Sequence, residues 1–294
     1  MMFAPGIVST GLDELNALLS HDGRDFIFSI KSERGNLYSM VWMNRSGDSW
    51  TRPEVLPFSG LYSDADPAWS PDGSWLYFLS RRPHVTDTTS APREDFDIWR
   101  AERLSNGWGE PVNIGPPVNT TFGEVYPSFT SNGDMYFSSR RDGGLGGHDV
   151  YHAVWEDGKF SDPVNLGPPV NSENSEGDSF IAPDGSYLIM TISGRPDSRG
   201  SADLYVSFPN AAGRWTEPVN LGETINTQFA EYCPYVSPDG KYLFFTSYRS
   251  GKYDYSLKKL AYADFHAKQH KPENGLGNIY WIDFTVVEKL RPNY

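Results

Sequence analysis

Apolar residues in this chain fall in short runs broken by Gly, Pro, Asp and Asn, and the runs come in pairs. In "SDADPAWSPDGSWLYFLSRR" an acid opens an alternating apolar run, a tight turn ends in glycine, and a second apolar run closes on polar residues. Four more segments follow this template: "DELNALLSHDGRDFIFSIK", "GEVYPSFTSNGDMYFSSRR", "SEGDSFIAPDGSYLIMTIS" and "AEYCPYVSPDGKYLFFTSYR". Their turn glycines, Gly23, Gly73, Gly133, Gly185 and Gly240, recur about every 50–60 residues. Asp or Asn before each glycine marks a turn whose positive φ glycine adopts without steric cost, so each segment predicts a β-hairpin.

A third apolar run follows in every copy: "GNLYSMVW", "DFDIWRAE", "HDVYHAVW", "ADLYVSFP" and "GNIYWIDF". A fourth lies around "TRPEVLPF", "GEPVNIG", "SDPVNLG" and "TEPVNLG", preceded by Trp50, Trp108, Phe160 and Trp215, which are expected to pack between strands. Four strands per repeat is the signature of a propeller blade. The fifth copy has no such fourth run. Instead the N-terminal "FAPGIVSTGLDE" aligns with "VNIGPPVNTTFGE", so the first residues are expected to complete the last blade and remove an open sheet edge. The prediction is an all-β, five-bladed β-propeller of four-stranded antiparallel blades. It forms one domain over 1–294, with blades near 11–60, 61–119, 120–172, 173–226 and 227–294 plus 1–10.

The hairpins "SPDGSWLYF" and "SPDGKYLFF", the third strands "DIW", "DVY" and "DLY", and the fourth strands "WGEPVNIG" and "WTEPVNLG" resemble the WD-like repeats of TolB-type propellers. The resemblance covers nearly the whole chain and implies a propeller that is periplasmic or secreted. TolB proteins have six blades and a further N-terminal domain. Five blades are counted here, so their partnership with a peptidoglycan-associated lipoprotein is not implied.

Composition agrees with strands and tight turns: aromatics make up 15% of 294 residues, with 28 Gly and 22 Pro. The net charge of −13 repels phosphate backbones and anionic membranes, which argues against a nucleic-acid partner. No run approaches the roughly 18 apolar residues of a membrane span. The single cysteine, Cys233, excludes an internal disulfide. No signal-peptide pattern opens the chain. Either the protein is cytoplasmic or a leader has been removed ahead of Met1; the TolB-type resemblance implies export, periplasmic or secreted.

Nine residues before each turn glycine stand Glu14, Asp64, Glu124, Glu176 and Glu231, all acidic. At the far end of the hairpins stand Lys31, Arg81 with Arg82, Arg140 with Arg141, and Arg249, while the fourth copy slips to Arg195. Residues equidistant from an antiparallel turn face each other, so an ion pair is expected at the open end of each hairpin, with the acids ringing the channel mouth. Recurrence in every blade favours a structural role for this pair. The same holds for the Asp or Asn opening the third strand: Asn36, Asp97, Asp149, Asp203 and Asn278.

Sites are sought where the copies differ. Two positions beyond each ring acid stand Asn16, Asp66, Tyr126, Asp178 and Cys233. At strand period two, Asp64 with Asp66 and Glu176 with Asp178 would be same-face pairs. Such pairs could hold Ca²⁺ or serve as acid and base in sugar chemistry; no other cofactor is implied. The loops add His84, His148, Arg195 and Arg199. Residues 250–278 form a basic insertion with Lys252, Lys258, Lys259, Lys268, Lys271, His266 and His270, and "YSLKKLAYADFHAK" predicts a short helix that is either a lid on the mouth or a cap on the last blade.

No nucleophile elbow, zinc-spaced His/Cys set or dinucleotide fingerprint appears. The leading expectation is a non-catalytic binding or scaffolding propeller. It would take a polar small molecule, an oligosaccharide or an extended protein segment at the mouth, through the five acids, Arg81, Arg140, Arg195, Arg249, and an exposed Tyr126 and Tyr232. The alternative is a carbohydrate-active hydrolase or lyase drawing its acid and base from Asp66, Asp178, Glu124 and His148. No oligomeric state is implied.

Overall fold

The apolar runs pair as their turn chemistry dictates. The computed structural model describes residues 1–32, 37–47, 49–84, 91–251 and 261–292. In it the first two strands of each repeat form antiparallel hairpins: Asp13–Leu19 with Asp25–Lys31, Asp64–Trp69 with Trp75–Ser80, Glu124–Phe129 with Met135–Ser139, Ser175–Ile181 with Leu188–Ser193, and Glu231–Val236 with Tyr242–Ser247. All five turn glycines have φ between +66° and +98°, the left-handed region that favours glycine. Side chains tighten the same turns: the Ser20 hydroxyl lies 2.7 Å from Asp22, Ser70 2.6 Å from Asp72 and Ser237 2.7 Å from Asp239.

Third strands Tyr38–Ser46, Asp97–Leu104, Asp149–Ala153, Asp203–Ser207 and Asn278–Asp283 extend each sheet outward. Two-residue outer strands, Glu54–Val55, Val112–Asn113, Val164–Asn165 and Val219–Asn220, complete four of them. The result is five antiparallel sheets in a ring, a five-bladed β-propeller with mostly four strands per blade.

Each sheet is apolar on both faces because a neighbouring sheet covers each. Leu18, Ile27 and Met40 of the first blade meet Trp69, Leu76 and Phe78 of the second, and four equivalent clusters fill the other seams. At about 1.5–3 kcal/mol for each large side chain removed from water, these seams hold the ring together. Trp108, Phe160 and Trp215 pack at the edges of such clusters, Trp108 stacking on Trp69 at 5.8 Å. Trp50 differs, remaining 40% exposed.

The ring closes through the N-terminus. Phe3 donates its backbone N–H to Ile279 at 2.8 Å, and Trp281 donates to Met1 at 2.8 Å. The other seams show why this segment fits. There, Asn119, Asn171 and Asn226 each accept a backbone N–H and donate to the carbonyl of the same residue (Ile98, Val150 and Leu204), bridging to Asn113, Asn165 and Asn220. In the last blade the Ser9 hydroxyl does both jobs for Ile279, at 3.2 and 3.0 Å. Val8, just before it, is buried against Phe244 and Ile279.

The third-strand acids Asp97, Asp149 and Asp203 accept from Asn113, Asn165 and Asn220, as expected of structural residues. Asn278 donates to Glu14 at 2.9 Å. Asn36 lies outside the described residues.

Candidate functional site

The five ring acids are fully buried, and each is held inside its own seam rather than exposed at the mouth. Four of them are Glu with Thr or Ser four residues earlier, whose backbone N–H and hydroxyl both donate to the carboxylate: Thr10 to Glu14, Thr120 to Glu124 (2.9 and 2.6 Å), Ser172 to Glu176 (3.1 and 2.6 Å) and Thr227 to Glu231 (2.7 and 2.7 Å). The second blade replaces both partners together, with Asp64 for Glu and Gly60 for Thr. Burial raises the carboxyls of Glu14, Glu124 and Glu176 against these donors, and pushes Asp64 up to about 6 against the charge of Arg82 and the Ser80 hydroxyl.

The ion pair expected in every hairpin forms in three. Asp64, Glu124 and Glu231 sit opposite Ser80, Ser139 and Ser247, and the partner is the arginine two residues beyond that serine. Arg82 pairs with Asp64, Arg141 with Glu124 at 3.1 Å and Arg249 with Glu231 at 3.6 Å. Each also donates to the linker carbonyl entering its blade: Phe58, Val118 and Ile225. Glu14 and Glu176 instead face Ile30 and Ile192, and among the described residues neither forms an arginine ion pair, although the charge of Arg195 still acts on Glu176.

Arg81 and Arg140 are therefore not the pairing residues, because neighbours along the strand direction point to opposite sides. Arg81 lies over the Phe96 ring at 4.3 Å, and Arg140 donates to Nδ1 of His148 at 3.3 Å. Arg195 pairs with Asp197 and Glu217 at 3.1 and 2.9 Å instead of with Glu176.

The next position that sequence singled out is a shared backbone device. Asn16, Asp66, Tyr126, Asp178 and Cys233 all have positive φ, from +42° to +56°, and each sits where the pairing register of its first strand shifts. A bulge adds residues to one strand only and re-aims the side chains beyond it. The same-face pairing of Asp64 with Asp66, and of Glu176 with Asp178, is thereby broken. Asp64 turns to Arg82 in the seam, whereas Asp66 turns into the channel toward Asp178 of another blade.

The five bulge residues mesh at the centre of the ring. Asn16 donates its amide to Asp66 at 2.9 Å and to Cys233 Sγ at 3.0 Å, while its own carbonyl accepts the Asp66 backbone N–H at 3.3 Å. The Cys233 backbone N–H donates to Asp178 at 3.1 Å. Tyr126, expected to be exposed, is only 7% so; its hydroxyl crosses the channel to the Pro234 carbonyl at 2.9 Å. Asp66 and Asp178 keep partial access to solvent-sized space in the channel, although both lie deep in the ring. Burial, and then the charge of Asp178, raises Asp66 far above the ordinary carboxylate range; burial likewise raises Asp178.

Below this mesh a cavity of about 160 Å³ opens on the face of the hairpin turns, opposite the expected mouth. Its walls are Trp69, Phe129, Phe180, Tyr187 and Tyr235; Asn16, Asp66 and Tyr126 lie at its inner end, with His21 and Pro238 at the rim. Above the mesh Tyr232 stacks on Tyr248 at 5.2 Å. Sequence reasoning missed the aromatic walls because each reads as an ordinary strand residue. The available signal was the proline after the bulge in three copies, Pro67, Pro127 and Pro234, which marks a break in the ladder.

The remaining candidates lie elsewhere. His84 contacts Asp97. His148 is held neutral near pH 7, since burial and then Arg140 lower it to about 4. Among the described residues no three His, Cys, Asp or Glu side chains gather as metal ligands. The predicted helix forms over Tyr262–Gln269 with no buried residue, and Asn274 ties the following turn to Gly11 at 3.0 Å, at the closing seam. Lys252, Lys258 and Lys259 lie outside the described residues.

No family model matches the chain. No curated protein matches it either. Solved structures of similar fold include TolB from Acinetobacter baumannii, 18% identical with a TM-score of 0.45 over 94% of this chain and 53% of that one. Also similar are a glycoside hydrolase (11% identity, TM-score 0.54, 92% and 87% covered) and an α-L-arabinofuranosidase from Podospora anserina in complex with cellotriose (13%, 0.52, 96% and 92%). At these identities the likeness is one of fold. The chain spans about half the length of the TolB protein.

Proposed function

We propose that this propeller is an exported, non-catalytic binding protein whose ligand enters the turn-face end of the channel. The observation that carries this reading is the blind cavity itself: apolar walls of Trp69, Phe129, Phe180 and Tyr235 closing on Asn16 and Asp66. Concave, largely apolar sites with a few inward polar groups are where small ligands bind, the walls supplying area and the polar groups orientation.

The carbohydrate-active alternative draws support from the electrostatic coupling of Asp66 and Asp178, a pair of acids such as glycosidases require. Both members of such a pair must face the substrate, and only Asp66 lines the cavity. Asp178 is engaged by the Cys233 backbone, Glu124 by Thr120 and Arg141, and His148 by Arg140.

The test is a thermal-shift screen of amines, monosaccharides and short peptides on wild type and Phe129→Ala, with reducing-sugar release measured alongside. The expected result is a ligand that raises the melting temperature of the wild type but not of the variant, without turnover. A ligand effect that survives Phe129→Ala moves the site elsewhere. Sugar release abolished in Asp66→Asn replaces binding with catalysis.

A further inference from the structure

Most buried acids in this ring have an evident counterpart. Asp64, Glu124 and Glu231 have arginines, and Glu14 and Glu176 have paired hydroxyl and amide donors. Asp66 has neither. Its partners are the Asn16 side-chain amide and the Tyr126 backbone N–H, its strongest charged neighbour is the like-charged Asp178, and among the described residues no cation acts on it. A buried carboxyl without a counter-charge is costly unless something else supplies one.

The cavity in front of it has walls suited to holding a cation that would. Trp69, Phe129, Phe180 and Tyr235 present aromatic surface, and a cation over an aromatic face gains up to about 2 kcal/mol when water is excluded. Trp69 is 7% exposed, and among the described residues its indole N–H has no partner. Of the other polar wall groups, the Ser128 hydroxyl donates to the Ser179 carbonyl at 2.7 Å, Ser237 bonds Asp239 and the Tyr235 hydroxyl donates to the Leu19 carbonyl at 3.0 Å, which leaves, among the described residues, the Tyr187 hydroxyl and the His21 ring. A sugar, which needs many hydrogen-bond partners, is poorly served. Size points the same way, since a cavity of about 150 Å³ accepts one benzene-sized molecule.

Building on the binding reading above, we infer that the cavity is a site for a small organic cation, its charged head held between Asp66 and the aromatic faces of Trp69, Phe129, Phe180 and Tyr235. The net charge of −13 draws cations toward the protein before contact. Because burial and Asp178 favour protonated Asp66, binding of a cation there expels a proton and tightens as pH rises. The titratable groups facing Asp66 are Asp178 of the fourth blade, Cys233 of the fifth, Tyr126 of the third and Tyr38 of the first, with His21 at the rim.

The experiment is calorimetric titration of choline and of its uncharged isostere 3,3-dimethylbutan-1-ol into the full chain, wild type, Asp66→Asn and Phe180→Leu, at pH 6 and pH 8. Choline is expected to bind the wild type at least about tenfold more tightly than the isostere, a difference of about 1.4 kcal/mol. Asp66→Asn should erase that preference while leaving the isostere unaffected, and Phe180→Leu should weaken choline about threefold or more. Circular dichroism checks that both variants fold. Equal affinity for the two probes, or an unchanged choline affinity in Asp66→Asn, overturns the cation assignment while the cavity stays a binding site. No choline binding at about 10 mM overturns it as well, that limit lying above the millimolar range of the weakest specific sites. The binding reading falls separately, if no compound in the thermal-shift screen depends on Phe129.

Discussion

Replacing Arg141 by Leu tests the physics of the ring acids most directly. Glu124 has no exposed surface, and the Arg141 side chain is 12% exposed, so the pair is nearly dry. The substitution removes the 3.1 Å contact to Glu124 and the 2.6 Å bond to the Val118 carbonyl. It keeps apolar bulk where the guanidinium now lies over Phe137 and Tyr151, at 4.9 and 4.8 Å. Breaking one side of a buried pair costs about 3–5 kcal/mol, because the remaining charge stays buried.

Thr120 and Ser139 still donate to Glu124, which favours the lower half of that range. At about 2 °C per kcal/mol for a chain of this size, the melting temperature should fall by about 6–8 °C. The cost also depends on pH. Glu124 is already raised by burial, and losing Arg141 raises it further. The carboxyl then escapes its penalty by taking up a proton, so the cost is full at pH 8 and shrinks as pH falls toward the unfolded value of about 4.3.

Urea unfolding at pH 8 and pH 5 measures both effects, and the double variant Glu124→Gln with Arg141→Leu should recover about 1 kcal/mol or more. The reasoning fails if Arg141→Leu stays within about 1 kcal/mol of wild type at pH 8, the range of an exposed pair. An identical loss at both pH values would also defeat it.

Two further outcomes are expected. Asp66 is raised in the folded state, so the stability gained from its protonated form is complete below about pH 3.9 and is lost as pH climbs through the folded value. Asp66→Asn should therefore gain on wild type between pH 5 and pH 8 in urea unfolding, and parallel pH profiles would count against a raised Asp66. Deleting residues 1–9 strips Phe3 and Val8 from the closing seam and bares the edge of Asn278–Asp283. The melting temperature should drop by about 10 °C or more, with self-association by size-exclusion chromatography, since open edges template pairing. A monomer of near-native stability would show that closure contributes little.

The blades, their hairpins and the closing role of the N-terminus were legible in sequence because each depends on short-range chemistry. Asp-Gly or Asn-Gly sets the turn, alternation sets the strand faces, and "IVST" carries the seam-binding pattern of "PVNT" with Ser9 in place of Asn. Even the three real ion pairs have a local signature, the Ser-x-Arg at Ser80–Arg82, Ser139–Arg141 and Ser247–Arg249, absent at Ile30 and Ile192.

What only the tertiary structure decided is which way the bulge residues point and whom they meet. The prolines after Asp66, Tyr126 and Cys233 mark a break in the ladder but not its direction, and the positive φ there breaks the two-residue alternation and swings Asp66 away from Asp64. Its partner in charge, Asp178, is two blades away, and its cavity is walled by aromatics from four blades. Strand pattern determines each sheet; the closing of five sheets about one axis determines which side chains share the centre, and which end of the channel stays open.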